Sequence, residues 1–148
     1  MKLLLDTSYL LPFVGIRVRG TDEDDVRKAL EEHQVLISDV QIFELYAKGL
    51  KYLLQGRIDA AGLVDGVDAV AHGLEARALS DPQVMRVTIK ARQVLADLLD
   101  AIVLSTALMY ADGLATLDKR IEDAYRADFI KTLNPELRIG QLGSFLGE

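Results

Sequence analysis

The sequence predicts one α/β domain built around a short, mostly parallel central sheet. Three observations carry that expectation. The apolar runs at Met1 to Asp6, Val35 to Ile37 and Leu114 to Leu117 are continuous rather than alternating, as in strands buried on both faces. The longer segments between them carry helical periodicity. Strands and helices therefore alternate, the arrangement of a parallel sheet with crossover helices. The length of 148 residues suits one domain, and no repeat, linker or low-complexity stretch divides it, so residues 1–148 are read as a single unit.

The first strand runs from Lys2 to the polar stop at Asp6. Tyr9 to Val14 is apolar and reads as a helix start with Pro12 in its first turn. Thr21 to His33 is a helix, with Thr21 and Asp24 resembling a capping box and Val26, Ala29, Leu30 and His33 on one face. After the Val35–Ile37 strand, Ser38 and Gln41 form a second capping box. The helix they open has Val40, Phe43, Ala47, Leu50 and Leu54 as its apolar stripe, with Glu44 at the stripe's edge.

Arg57 to Leu79 reads as helical through Leu63, Val67, Val70 and Leu74, although Gly62, Gly66 and Gly73 weaken it. Ser80 to Pro82 is a break. The following segment fits either a helix with Pro82 at its first position or a short strand over Val84 to Ile89. Ala91 to Leu99 is expected to be helical, and Asp100 to Tyr110 to be a buried helix capped by Gly113. Leu114 to Leu117 is a strand, Lys119 to Arg126 a polar helical turn or two, and Phe129 to Leu133 a last strand stopped by Asn134-Pro135. The remainder reads as a loosely packed tail.

Half of the residues are hydrophobic and 27% are charged, a globular composition rather than a disordered one. The 23 acids outweigh 17 bases, for a formal charge of -6. That balance opposes binding of nucleic acid through a broad basic surface. Cysteine is absent, which excludes disulfides, thiol catalysis, Cys-ligated zinc and iron–sulfur clusters. The two histidines, His33 and His72, lie far apart, against a His-rich metal site. Lys2 is followed by only three leucines before Asp6, too few for a signal h-region, and no apolar run approaches the roughly 18 residues of a membrane span. The expected location is the cytoplasm.

The acids that stand out lie where strands end. In open parallel sheets, ligands bind beyond the carboxyl ends of the strands. Asp6 follows the first strand and Asp118 a late one; Asp100 opens a buried helix, and Glu44 lies beside a buried helical face. Charged side chains are seldom buried without a partner or a metal, and residues 93 to 118 contain no Lys or Arg. A divalent cation would supply the compensation. Mg²⁺ and Mn²⁺ favour oxygen ligands, and such ions orient a phosphodiester and activate water without Cys or His. Each acid also has an ordinary role open to it. Asp6, Asp100 and Asp118 can serve as caps or turn residues, and Glu44 as a surface residue. Thr7, Ser8 and Thr116 read individually as cap or turn hydroxyls.

Four segments resemble the PIN-domain family, and in particular VapC-type toxin ribonucleases. Leu5-Asp6-Thr7-Ser8-Tyr9-Leu10-Leu11 resembles the opening strand and first acid. Ile37 to Leu45 resembles the second strand's end and the helix bearing the second acid, Glu44. Asp100 to Leu108 resembles the third acid with its small-residue helix, and Gly113-Leu-Ala-Thr-Leu-Asp118 the strand ending in Thr-x-Asp. The likeness runs from residue 3 to about residue 135.

The resemblance implies a three-layer α/β/α sandwich and Mg²⁺- or Mn²⁺-dependent hydrolysis of RNA. It implies Asp6, Glu44, Asp100 and Asp118 as the catalytic acids, with Asp6, Asp100 and Asp118 as metal ligands and Ser8 and Thr116 as supports. It also implies an antitoxin partner and a homodimer. Two departures stand out: Ser80 to Lys90 lacks a family-like strand, and Asp97-Leu-Leu-Asp100 joins the third acid directly to the preceding helix pattern, without the family's turn, which makes Asp97 a candidate extra acid that also reads as a solvated helix residue. Arg17, Arg19, Lys48, Lys51, Lys119 and Arg120 are the bases within reach of an RNA, each also readable as solvated surface charge.

The main alternative is a non-catalytic PIN-like module that acts by binding a protein. A phosphoacceptor receiver would want an acidic pair after the first strand, yet Thr7 follows Asp6. A dehalogenase-like phosphatase would want Asp-x-Asp, and position 8 is Ser. A P-loop enzyme would need its Gly-rich Lys-Ser/Thr motif, which is missing.

Overall fold

The structure is a computed structural model and describes residues 1–147. Five strands, β1 (Lys2–Leu5), β2 (Gln34–Ser38), β3 (Glu75–Arg77), β4 (Gly113–Ala115) and β5 (Arg138–Gly140), form one sheet in the order β3-β2-β1-β4-β5. Every pairing is parallel. The helices are α1 (Glu23–Glu32), α2 (Asp39–Leu54), α3 (Ala60–Gly73), α4 (Pro82–Ala91), α5 (Leu98–Tyr110), α6 (Lys119–Tyr125) and α7 (Asp128–Lys131). The sheet's two faces bury alternate residues. Leu3, Leu5, Val35, Ile37 and Ala115 pack with α1, α2, α3 and the 3₁₀ segments Thr7–Tyr9 and Leu11–Val14. Leu4, Leu36 and Leu114 pack with α4, α5, α6 and α7. The result is the expected three-layer α/β/α sandwich.

The connections place the crevice. From β1 the chain crosses to β2 on one side, and β4 later lands on β1's other side. Neighbouring crossovers therefore diverge between β1 and β4, opening a cleft beyond their carboxyl ends. Asp6 continues the β1 ladder by donating its N–H to the Ala115 carbonyl at 2.9 Å.

Several local expectations give way to tertiary packing. The segment after Asp6 forms two 3₁₀ turns rather than an α-helix, ended by Gly15 at φ 87°. The cap of α1 is Asp22, whose Oδ1 accepts from Asp24 N at 2.9 Å, while the Thr21 hydroxyl turns back to the Val18 carbonyl. On α2 the buried face contains Val40, Gln41, Leu45 and Gly49, while Phe43 is 67% exposed and Leu54 is 87% exposed. The helix is rolled because it packs against α3 through Gly49, where an added Cβ would stand 2.2 Å from Leu63 Cδ1.

The Arg57–Leu79 stretch is α3 followed by β3, an edge strand too short and polar to show a period. Of the two readings after Ser80, the helix holds: α4 has Pro82 in its first turn and Asp81 as cap. The chain then leaves the helix at Arg92, so Ala91–Leu99 is mostly a turn. The Arg92 guanidinium donates to the Leu95 and Ala96 carbonyls, and Asp97 caps α5. Gly113 opens β4 rather than capping α5. Its small size is required, because a Cβ would meet the Phe145 ring at 2.7 Å and Leu3 Cδ1 at 3.0 Å.

The last strand does not form at Phe129–Leu133. That segment overlaps α7, and the strand is β5, drawn from the expected tail. Nor is the tail loose: Leu142 and Phe145 are buried, and Leu142 N donates to the Tyr9 hydroxyl at 3.0 Å. No helix among the described residues is long and apolar enough to cross a membrane.

Candidate active site

Asp6, Glu44, Asp100 and Asp118 line one cleft of about 510 Å³, together with Ser8, Asp97, Lys48 and Arg120. Four elements deliver the acids. Asp6 leaves the end of β1, and Glu44 comes from the second turn of α2. Asp100 stands in the first turn of α5, and Asp118 caps α6 just past β4.

Asp6 is the deepest of them. Its Oδ1 accepts from Thr7 N at 2.8 Å and its Oδ2 from the Thr116 hydroxyl at 2.6 Å. The Thr116 oxygen in turn accepts from Asp118 N at 3.0 Å. Thr116 thus joins the first and fourth acids by hydrogen bonds. Burial pushes the Asp6 carboxyl up from the ordinary range against those hydrogen bonds, with Glu44 and Asp118 adding repulsion.

Asp100 is pushed up to about 6, first by burial and then by repulsion from Asp97, Asp118 and Asp6. Asp118 moves the other way because Arg120 grips it. The Arg120 Nε donates to Oδ1 at 3.0 Å and its terminal nitrogen to Oδ2 at 2.7 Å, which holds the carboxyl below the usual range. The same guanidinium stands 3.9 Å from Asp100 Oδ2. Glu44 is held between the Thr7 hydroxyl, which donates to Oε2 at 3.0 Å, and the Lys48 ammonium, 2.9 Å from Oε1.

The cleft gathers all four expected acids, but no three acidic or histidine side chains among the described residues are close enough to form a ready metal cage. The donor chemistry nevertheless fits a hard divalent cation. All donors are oxygens, and the raised carboxyls of Asp6 and Asp100 mark negative charge short of compensation. Arg120 supplies part of the missing positive charge. Ser8 lines the cleft and makes no side-chain hydrogen bond among the described residues. Asp97 also reaches the cleft, but its Oδ1 accepts from Asp100 N at 3.0 Å as a helix cap. Of the expected bases, Lys48 and Arg120 are at the cleft; Arg17 and Arg19 line a separate one, and Lys119 pairs with Glu122.

Residues 3–127 match the sequence pattern of the PIN domain. The chain belongs to the PIN-domain family. PIN domains are as a class nucleases, typically using divalent metals. No curated protein matches the sequence. Among solved structures, the fold is similar to a chain in the crystal structure of VapBC2 from Rickettsia felis bound to a DNA fragment from their promoter. The TM-score is 0.64 at 14% identity, covering 94% of this chain and 97% of that one. The sequence pointed to the four acids that the cleft brings together but not to Thr7 as the partner of Glu44, to Gln41 behind Thr7, or to Arg120 as the partner of Asp118. A Lys four residues after Glu44 and an Arg two after Asp118 were the local signals available.

The raised carboxyl of Asp100 predicts a pH dependence. A carboxyl with a higher pKa in the folded state binds protons more tightly there. Without metal, its contribution to stability therefore falls as pH rises from 3.8 to about 6, and the penalty persists above that. Screening in the open cleft limits the effect to about 1–2 kcal/mol. Asp100→Asn should flatten this slope in urea unfolding midpoints measured between pH 4 and 8. An unchanged slope would show that Asp100 is not the strained acid.

Proposed function

We propose that this PIN domain is a metal-dependent endoribonuclease, the toxin of a toxin–antitoxin pair. The observation that carries the reading is the convergence of four acids on the β1–β4 crevice, with Asp6 and Asp100 each raised first by burial and then by repulsion from neighbouring acids. Asp6, Asp100 and Asp118 would hold Mg²⁺ or Mn²⁺, and Glu44 completes the acidic wall. Bound there, the cation supplies an activated water and charge stabilisation at a phosphodiester.

The chain's own residues do the rest. Thr116 and the Thr7 N–H fix the Asp6 carboxylate, so that its lone pairs keep one direction. Arg120 keeps Asp118 ionised and, being exposed, offers its free N–H groups to phosphate oxygens. Lys48 stands on the opposite acid. These two bases give an acidic chain local purchase on RNA despite its net charge of -6.

The structural likeness to a chain from a VapBC2 complex supports an antitoxin partner. A homodimer and a cytoplasmic location belong to the same reading. The test is cleavage of RNA oligonucleotides by the purified protein. Mg²⁺ or Mn²⁺ should support cutting, chelator should abolish it, and added Mn²⁺ should restore it. Absence of cutting with every divalent ion tried would overturn the assignment and favour the protein-binding alternative.

A further inference from the structure

Gln41 and Thr7 are buried polar residues whose hydrogen bonds reach beyond the α2 cap. Gln41 is 0% exposed and Thr7 is 2% exposed. Buried polar groups persist when their hydrogen bonds are satisfied, and their partners here are ordered. Gln41 Oε1 accepts from Ser38 N at 2.8 Å, which orients the amide. Its Nε2 then donates to the Leu5 carbonyl at 2.7 Å and lies 3.4 Å from Thr7 Oγ1.

Because that nitrogen is only a donor, Thr7 Oγ1 must act as acceptor toward it. The hydroxyl's single proton is left for Glu44 Oε2, 3.0 Å away. Directionality thus propagates from the α2 cap through two buried side chains to an acid of the cleft. The relay also ties the end of β1 to the helix that carries Glu44.

We infer that Thr7 is a positioning residue, which with Gln41 behind it holds the Glu44 carboxylate over the cleft beside Asp6. This rests on the nuclease reading for its consequence but not for its geometry. Glu44 has two competing donors. The exposed Lys48 ammonium draws Oε1 outward, whereas the buried Thr7 hydroxyl anchors Oε2 inward. Without the hydroxyl, the surface ion pair alone decides where the carboxylate points.

Thr7→Val keeps the shape and the N–H that serves Asp6 but removes the proton given to Glu44. Thr7→Ser keeps that proton. In Mg²⁺-dependent RNA cleavage, Thr7→Val should lower kcat about tenfold with KM changed less than about twofold, and Thr7→Ser should restore kcat. A second readout needs no activity. In protein labelled with ¹³C-glutamate, the carboxyl resonance that disappears in Glu44→Gln should shift in Thr7→Val and stay in place in Thr7→Ser. An unmoved resonance in Thr7→Val overturns the relay, as does full kcat in that variant or a Ser variant as impaired as Val. If the wild type cuts no RNA yet the resonance shifts only in Thr7→Val, the nuclease reading fails and the positioning of Glu44 stands.

Discussion

Asp6→Asn should lower RNA cleavage on the order of a thousandfold while leaving the domain folded. The wild-type carboxylate is fixed by two donors, the Thr7 N–H and the Thr116 hydroxyl. Asparagine keeps an oxygen for Thr7 but presents an amide N–H to Thr116. With Oδ2 replaced by that donor, the Thr116 proton loses its acceptor, while its oxygen still accepts from Asp118 N. The anion that a divalent cation needs is lost, and the link between the first and fourth acids is disturbed.

Stability should move in the opposite direction. Burial raises the Asp6 carboxyl, so its ionised form is costly in the fold. That cost grows as pH climbs above the ordinary carboxylate value and persists at neutral pH. Metal-free Asp6→Asn should therefore melt no lower than the wild type at pH 8 and lose that relative advantage toward pH 4. Mn²⁺ should raise the melting temperature of the wild type but not of the variant. Retained cleavage in Asp6→Asn, or an equal Mn²⁺ shift in both proteins, would remove Asp6 from the site.

Gly66→Ala should destabilise the fold by about 3 kcal/mol and lower Tm by about 10 °C. Gly66 lies on α3 where the helix presses against the 3₁₀ segment Leu11–Val14. A Cβ there would sit 2.1 Å from the Phe13 carbonyl oxygen and 2.9 Å from Val14 Cγ1. The first obstacle is backbone, so no rotamer relieves it, and α3 must move away from the segment that continues from Asp6. Gly73→Ala, at the end of the same helix with nothing within 4 Å of the new methyl, is the control. It should be neutral or slightly stabilising, since alanine favours helix by up to about 1 kcal/mol. Equal melting of the two variants would show that the α3 contact does not limit stability.

The acids of the candidate site were legible because charge is rare where the surrounding pattern demands burial. Asp6 ends a three-leucine strand, and Asp100 opens a helix with no base near it in sequence. Their supports were less legible. Thr116 lies 110 residues from Asp6, and Thr7 lies 37 from Glu44, so no local period relates either pair. Gln41 was readable as a capping residue, which it is, but its amide's second task depends on β1 lying beside α2. Phe43 and Leu54 were assigned to the core by helical spacing, yet both face outward, because a period gives the width of a stripe and not the roll of the helix against its neighbour.

The sequence by itself determined the class of the fold, the three inner strands and the acids at their ends. These are written in contiguous residues: runs of apolar side chains, caps such as Ser38, and polar stops. Tertiary structure alone decided that β4 would settle beside β1, which turns scattered acids into one cleft. It also made edge strands of Glu75–Arg77 and Arg138–Gly140. A three-residue edge strand has too little burial to carry a pattern, and its structure comes from the ladder offered by its neighbour. Strand order likewise follows from covering both faces of the sheet, a condition set by residues far apart in the chain.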